Sequence, residues 1–299
     1  MVSRAERSPL GDWWWTVDRS LLAALAALMV AGLVFLMAGG PPVAERLNLS
    51  TFHFVSRQAL FLAPTIGILT LVSFLSLRHV RRLALLIYAV SMALVLAAFQ
   101  FGPEIKGAHR WIMLAGIGVQ PSEFVKPAFV ILTAWGFSEG GRRKDMPGPW
   151  MAFLLLPATI VPLILQPDFG QTMLITIVWC GLFFVAGLHW FWVAGLGGAG
   201  LLGILAAYEF LPHVRSRIER FMDKSSGDTF QVDTAMESFA RGGWLGRGPG
   251  EGTVKRILPD SHTDFVFSVA AEEFGLLFCM AIVALYMIVV MRGLSHALR

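Results

Sequence analysis

"SLLAALAALMVAGLVFLMAG", residues 20–39, decides the fold class, because it runs its whole length without one Asp, Glu, Lys or Arg. A helix that crosses the hydrocarbon core needs about 20 mostly apolar residues, and this stretch has that length. Comparable runs recur along the chain, giving eight candidate spans at about 20–39, 55–77, 83–102, 121–138, 150–166, 170–188, 190–211 and 265–291. The 299 residues are 56% hydrophobic and only 15% charged, against about 45–50% and 25% in a soluble domain. Barrel strands alternate polar and apolar residues in segments of about ten, and the unbroken runs exclude that architecture. The expectation is an all-α, polytopic membrane helical bundle.

Charge sets the expected orientation. Arg4, Arg7 and Arg19 precede span one, Arg78, Arg81 and Arg82 follow span two, and "GRRKD" at 141–145 follows span four. Cytoplasmic loops collect Lys and Arg, so both termini are expected inside, and the net charge of +4 calls for no nucleic acid. The organisation is then a cytoplasmic tail (1–19) ending in an interfacial Trp13-Trp14-Trp15 anchor, spans one to seven (20–211), a large periplasmic loop (212–264), and span eight with a cytoplasmic end (265–299). The loop is basic, either because long loops cross whatever their charge or because it faces an anionic substrate. Within it, "HVRSRIERFMDK" at 213–224 reads as a short amphipathic helix on the membrane. Gly195, Ala199 and Gly203 recur every fourth residue in span seven, a pattern that lets helices approach closely. Cys180 and Cys279 have no ligand-spaced neighbours, so neither a metal nor a disulfide is expected.

The chemistry collects at one membrane face. "QPSEFVKPAFVILTAWGF" (120–137) places Glu123 and Lys126 at the outer mouth of span four, and ionisable groups there are costly. They stand three apart on a helix, so they either pair with each other or serve groups elsewhere. Asp168 in "QPDFGQ" either caps span six or acts in a site, and "LPDSHTDFVF" returns Asp260, His262 and Asp264 to the same face. An unpaired carboxylate at Asp264 would be expensive, and Lys126 is the nearest cation by depth. Glu272 and Glu273 enter span eight, facing either a hydrated cavity or polar groups on neighbouring helices. The glycine run "GGWLGRGPGEG" (242–252) lacks the Gly-Lys-Ser/Thr ending of a nucleotide loop, which leaves its backbone amides open to a pyrophosphate.

Three long segments carry a family likeness: "KGAHRWIMLAGIGVQPSEFVKPAFV", "LQPDFGQT" and "GEGTVKRILPDSHTDFVFSVAAEEFG". They resemble, in order, the signature segments of the SEDS family, which includes the FtsW and RodA branches. The openings "SRAERSPLGDWWWTVDRSLLAAL" and "PPVAERLNLSTFHFVSRQ" are similar to the division-type FtsW branch of alphaproteobacteria rather than to RodA. The resemblance implies a peptidoglycan glycosyltransferase in the bacterial inner membrane at the division site, polymerising lipid II on the outer face. It also implies a divalent cation (Mg²⁺ or Mn²⁺), a class B penicillin-binding transpeptidase as partner and other division-complex membrane proteins around it. Mapped by motif, the family's essential aspartate falls on Asp264, its salt-bridging lysine on Lys126, its second acidic site on Asp168 and its important tryptophan on Trp111. The family usually has ten spans, whereas eight are counted in this chain.

The mechanism expected from this mapping has Asp264 as general base, a role worth about 10²–10⁴ in rate. Lys126 would keep it ionised, since a nearby opposite charge lowers a carboxylate pKa. Arg110, Lys255 and Arg256, with the cation, would neutralise the departing pyrophosphate, with Asp168 as a candidate metal ligand. Glu123, Trp111 and His262 would complete the substrate site. A lipid II flippase is the alternative, favoured had ionisable groups lined a path to both sides; a non-catalytic division scaffold is a third reading.

Overall fold

Each of the eight apolar runs forms a helix in the computed structural model, which describes residues 9–104, 108–114, 116–142, 147–187, 190–210, 214–216, 219 and 230–297. Among the described residues five helices are long and apolar enough to cross a membrane: Arg19–Arg46, His53–Ser73, Leu77–Phe101, Gly148–Leu165 and Val266–Ala297. Phe169–Val185 is apolar but shorter. The protein is therefore a multi-pass helical membrane protein. The amphipathic helix expected at 213–224 lies mostly outside the described residues.

The helices pack into two units, one contiguous (Leu75–Ile218) and one split in sequence (Met1–Phe74 with Glu219–Arg299). The split unit begins with α1 (Pro9–Thr16), α2 (Arg19–Arg46) and α3 (His53–Ser73). Asp18 caps α2, its Oδ1 accepting the amides of Ser20 at 2.9 Å and Leu21 at 3.1 Å. The Ser20 hydroxyl first, then His296 and the Leu21 amide, hold this carboxyl well below the usual carboxylate range. The tryptophan run is a short helix rather than a bare anchor: Trp13 stacks on Phe74 and donates to Ser73 Oγ, while the Arg19 guanidinium lies over Trp14 and Trp15. α2 runs on through Pro41 and Pro42 to Arg46, well past the expected end of span one.

The same unit contains α9 (Phe230–Gly242), a 3-10 turn (Val254–Arg256) and α10 (Val266–Ala297). Ala31 and Phe35 of α2 pack on Ala270 and Ile282 of α10, and Ala38 packs on Leu258 and Val269. α10 is broken at Gly275, where φ is 82° and ψ 174°, a backbone that glycine adopts at no steric cost. The break frees backbone groups, and exposed ones would be costly in lipid. The preceding loop takes them. Arg247 and Gly248 amides donate to the Glu272 and Glu273 carbonyls at 2.9 and 3.0 Å, and Leu276 and Leu277 amides donate to Gly243 and Trp244 carbonyls.

The contiguous unit contains α4 (Leu77–Phe101), a hairpin of β1 (Ile112–Leu114) and β2 (Ile117–Val119), and α5 (Pro121–Arg142). After these come α6 (Gly148–Leu165), α7 (Phe169–Val185) and α8 (Trp190–Phe210). The hairpin is antiparallel, pairing Ile112 with Val119 and Leu114 with Ile117. Val95, Val125, Phe129, Leu163, Ile175, Trp179 and Phe183, from α4 to α7, form the core of this unit, and Trp179 donates its indole N–H to the Ala152 carbonyl at 2.9 Å. Close helix approach falls at the start of α6, where a Cβ on Gly148 would lie 2.3 Å from the Gly136 carbonyl oxygen. The spacing in span seven misleads. Around Gly195 and Gly203 an added Cβ would meet nothing within 4 Å, because α8 presents those glycines to open space.

Candidate functional site

In the split unit the candidate residues Asp260, His262 and Asp264 stand on the turn 258–264. The Leu258 carbonyl accepts from Arg46 Nη2 at 3.2 Å, tying the turn to the end of α2. Asp260 has φ of 50°, a left-handed conformation that Asp tolerates better than most residues, and its carbonyl accepts the Thr263 and Phe265 amides. Ser261 is buried against α2, where a Cβ on Gly39 would come 2.8 Å from the Ser261 carbonyl oxygen. His262 turns its ring onto Phe54, with centroids 4.2 Å apart. Burial pushes the His262 imidazole below its usual range; Asp260 and Asp264 oppose that shift and Arg46 adds to it. Asp264 is left exposed, two residues before α10 begins. The turn thus offers a carboxylate to solvent beside an imidazole that is neutral at neutral pH.

Behind the turn lies a buried ionic clasp. Glu272 is fully buried; its Oε1 accepts the Thr253 amide at 2.8 Å and the Val254 amide at 3.1 Å. Glu273, 1% exposed, pairs with the Lys255 ammonium and accepts the Gly250 amide at 3.1 Å. The Lys255 ammonium also donates to the Gly250 carbonyl. Of the amides in 242–252 left open to a pyrophosphate, Gly250 meets the Glu273 carboxylate and Arg247 and Gly248 meet carbonyls of the broken helix. Lys255, expected at the pyrophosphate, is buried within the clasp, whereas Arg256 is exposed.

The contiguous unit carries a second polar cluster. Arg110 donates Nε to the Gln166 carbonyl at 3.0 Å and Nη2 to the Pro167 carbonyl, and Nη1 stands 3.7 Å from Asp168 Oδ1. Asp168 is buried; it caps α7 through the Gln171 amide and receives a long contact from Gln120 Nε2 at 3.5 Å. The capping reading of Asp168 holds, and its other partner is Arg110. Lys126 Nζ lies 2.7 Å from Glu123 Oε2, and Gln171 Nε2 donates to Glu123 Oε1 at 2.9 Å. Gln171 joins the two carboxylates, one by its backbone and one by its side chain. Its place three residues after a capping Asp was a readable signal, but the sequence reading passed it over, as it did Arg46. Trp111 packs on the hairpin beside Gly118. Lys126 and Asp264 belong to different units, so their pairing stands as a proposal.

Among the described residues no group of three or more His, Cys, Asp or Glu side chains is placed to hold a metal ion. Asp168 faces Arg110 and fits a cation poorly. Mg²⁺ usually keeps several waters and binds one or two carboxylates together with substrate phosphates; the exposed carboxylate of Asp264 fits that mode.

Comparison with known proteins gives the context. The chain is 43% identical over 298 residues to the probable peptidoglycan glycosyltransferase FtsW of Caulobacter vibrioides, covering 99% of this chain and 76% of that protein. It is 31% identical over 301 residues to its counterpart in Aliivibrio salmonicida, covering 96% and 75%. A solved chain from a study of how a peptidoglycan synthase complex coordinates polymerization and crosslinking is similar at TM-score 0.72 and 28% identity, over 95% of this chain and 79% of that one. The crystal structure of Thermus thermophilus rod shape determining protein RodA is similar at TM-score 0.61 and 27% identity, over 95% and 76%. A family model described as cell cycle protein, FtsW/RodA/SpoVE, matches residues 18–299, and the chain belongs to this SEDS family.

Proposed function

We propose that this chain is a peptidoglycan glycosyltransferase that polymerises lipid II into glycan strands during septal wall synthesis in the bacterial inner membrane. The observation that carries this reading is the match over nearly the whole chain to relatives named peptidoglycan glycosyltransferase FtsW. The exposed Asp264 at the head of α10 supplies the chemistry. The acceptor sugar hydroxyl gives its proton to the Asp264 carboxylate as its oxygen bonds to the donor's anomeric carbon. The bond from that carbon to the pyrophosphate oxygen breaks, and undecaprenyl pyrophosphate leaves with the electron pair. Direct displacement inverts the sugar and needs no covalent intermediate. Lys126 would serve as the cation for Asp264, as the family resemblance implies, and Arg110 and Arg256 would act on the anionic headgroup. A divalent cation, held by Asp264 and the phosphates, would add Lewis-acid charge neutralisation when bound. The similarity to a chain of a synthase complex coupling polymerization to crosslinking supports a class B penicillin-binding transpeptidase as partner.

The test uses detergent, where no leaflets exist, with the full chain, lipid II, Mn²⁺ and a partner inactivated for glycan synthesis. Wild type should make glycan, and Asp264→Asn should make at least about a hundredfold less, the lower end for general-base help. A folded wild-type complex that makes none would move the reading to lipid transport.

A further inference from the structure

The clasp has no role in the reaction drawn above, yet it places three charged groups in the protein interior. Glu272, Glu273 and Lys255 are 0%, 1% and 5% exposed, and burying charge is costly unless it is paired and hydrogen-bonded. Here it is both. The Glu272 carboxylate takes two consecutive amides at the start of the 3-10 turn, and Glu273 takes the Lys255 ammonium and the Gly250 amide. The segment held in this way, 250–256, leads directly into the turn that ends in Asp264. From the other side, α10 carries both carboxylates on the stretch between that turn and the Gly275 break. Asp264 is thus flanked in sequence by a segment and a half-helix locked to each other by the clasp, while its own side chain remains free.

We propose that Glu272, Glu273 and Lys255 are positioning residues for Asp264, fixing the direction from which the 258–264 turn presents its carboxylate. The inference rests on the glycosyltransferase reading. An apolar pairing of similar volume would hold a loop equally well and often more stably. An ionic clasp that reads two amides and an ammonium fixes register as well as proximity. Register matters to a general base, because a misplacement of about 1 Å can cost about a hundredfold in rate.

Glu272→Gln keeps size but loses one acceptor oxygen, and Glu273→Asp keeps the charge but withdraws it by one methylene. Each is compared with wild type as full chain with lipid II, measuring kcat and KM per folded molecule alongside melting temperature. Positioning predicts that kcat falls at least about tenfold while KM for lipid II stays within about twofold, the signature of an interaction lost from the transition state only. Unchanged turnover per folded molecule with a lowered melting temperature would reduce the clasp to structural support and overturn the proposal. A raised KM at constant kcat would also overturn it. Where Glu272→Gln does not fold, Glu273→Asp decides. A nitroxide at the exposed Thr263 gives a readout independent of turnover: its spectrum should report greater mobility in both variants. An unchanged spectrum would count against positioning even if the wild type proved not to be a polymerase.

Discussion

Removing the ammonium of Lys126 separates two accounts of that residue. Its Nζ lies 2.7 Å from Glu123 Oε2, with side chains 24% and 49% exposed. A helix pair so open to solvent is worth about 0.3–0.5 kcal/mol, which corresponds to about 1–2 °C in melting temperature for a chain of this size. In Lys126→Met the Glu123 carboxylate keeps its bond from Gln171, so no charge is stranded and the fold should hold. If Lys126 does no more than clip Glu123, activity should change by about twofold at most, the rate equivalent of that energy. If Lys126 holds Asp264 ionised, glycan synthesis should fall at least about a hundredfold with the melting temperature almost unmoved. Glu123→Gln is the companion, since its amide oxygen still accepts from Gln171. We expect Lys126→Met to abolish polymerisation, Glu123→Gln to change it about twofold, and Lys126→Met with Asp264→Asn to be no worse than either single variant. The assay is glycan yield from purified lipid II beside a thermal melt of each variant. Equal damage from Glu123→Gln and Lys126→Met would refute the assignment of Lys126 to Asp264.

Two further outcomes follow from the split unit. His262 has a folded pKa below the ordinary 6.5, so the unfolded chain takes up the proton first. Its contribution to stability is full above about pH 6.5 and is lost as pH falls through that value toward the folded pKa. Melting temperature should therefore drop between about pH 7 and 5, and less in His262→Gln; identical slopes would contradict the burial account. Gly242→Ala places a Cβ 1.9 Å from the Ala271 carbonyl oxygen and 2.9 Å from the Glu272 Cα, atoms of backbone that cannot rotate away. It should cost about 1–3 kcal/mol or more, as overpacking does, whereas Gly203→Ala, with nothing within 4 Å, should be neutral or slightly stabilising. Equal melting temperatures for the two variants would exclude the close contact of α9 with α10.

The helices were legible because each is a local property: apolarity is written in consecutive residues, and each expected run became a helix, five of those described being long and apolar enough to cross a membrane. Polar partnerships were legible only when local too. Glu123 and Lys126, one helical turn apart, were recognisable as a pair, whereas the partners of Glu272 and Glu273 lie 18 to 23 residues earlier, at and just after the end of a glycine run. Nothing in "GGWLGRGPGEG" says that its Gly250 amide closes on one of the protein's own carboxylates. The stripe at Gly195 and Gly203 failed for the opposite reason, since spacing shows that a close approach is allowed but not that a partner is there. Helix α9 was missed within the loop although "FQVDTAMESFARG" carries apolar residues at helical spacing; the more basic stretch before it drew the reading.

The division of the chain into a contiguous unit and a split one has a consequence for synthesis. The described residues of the contiguous unit's core cluster all lie within 75–218, so that cluster can close while later residues are still being made. The split unit waits. Its first helices must persist in the bilayer until 219–299 arrive, because Phe35 and Ala38 have their core partners there. The glycine loop, by contrast, precedes the broken helix it satisfies, and so is available when the Gly275 break first enters the membrane. The turn that carries Asp264 depends on that later packing: it is set between α2 and α10 only once Leu258, Val269 and Ala270 close on Phe35 and Ala38.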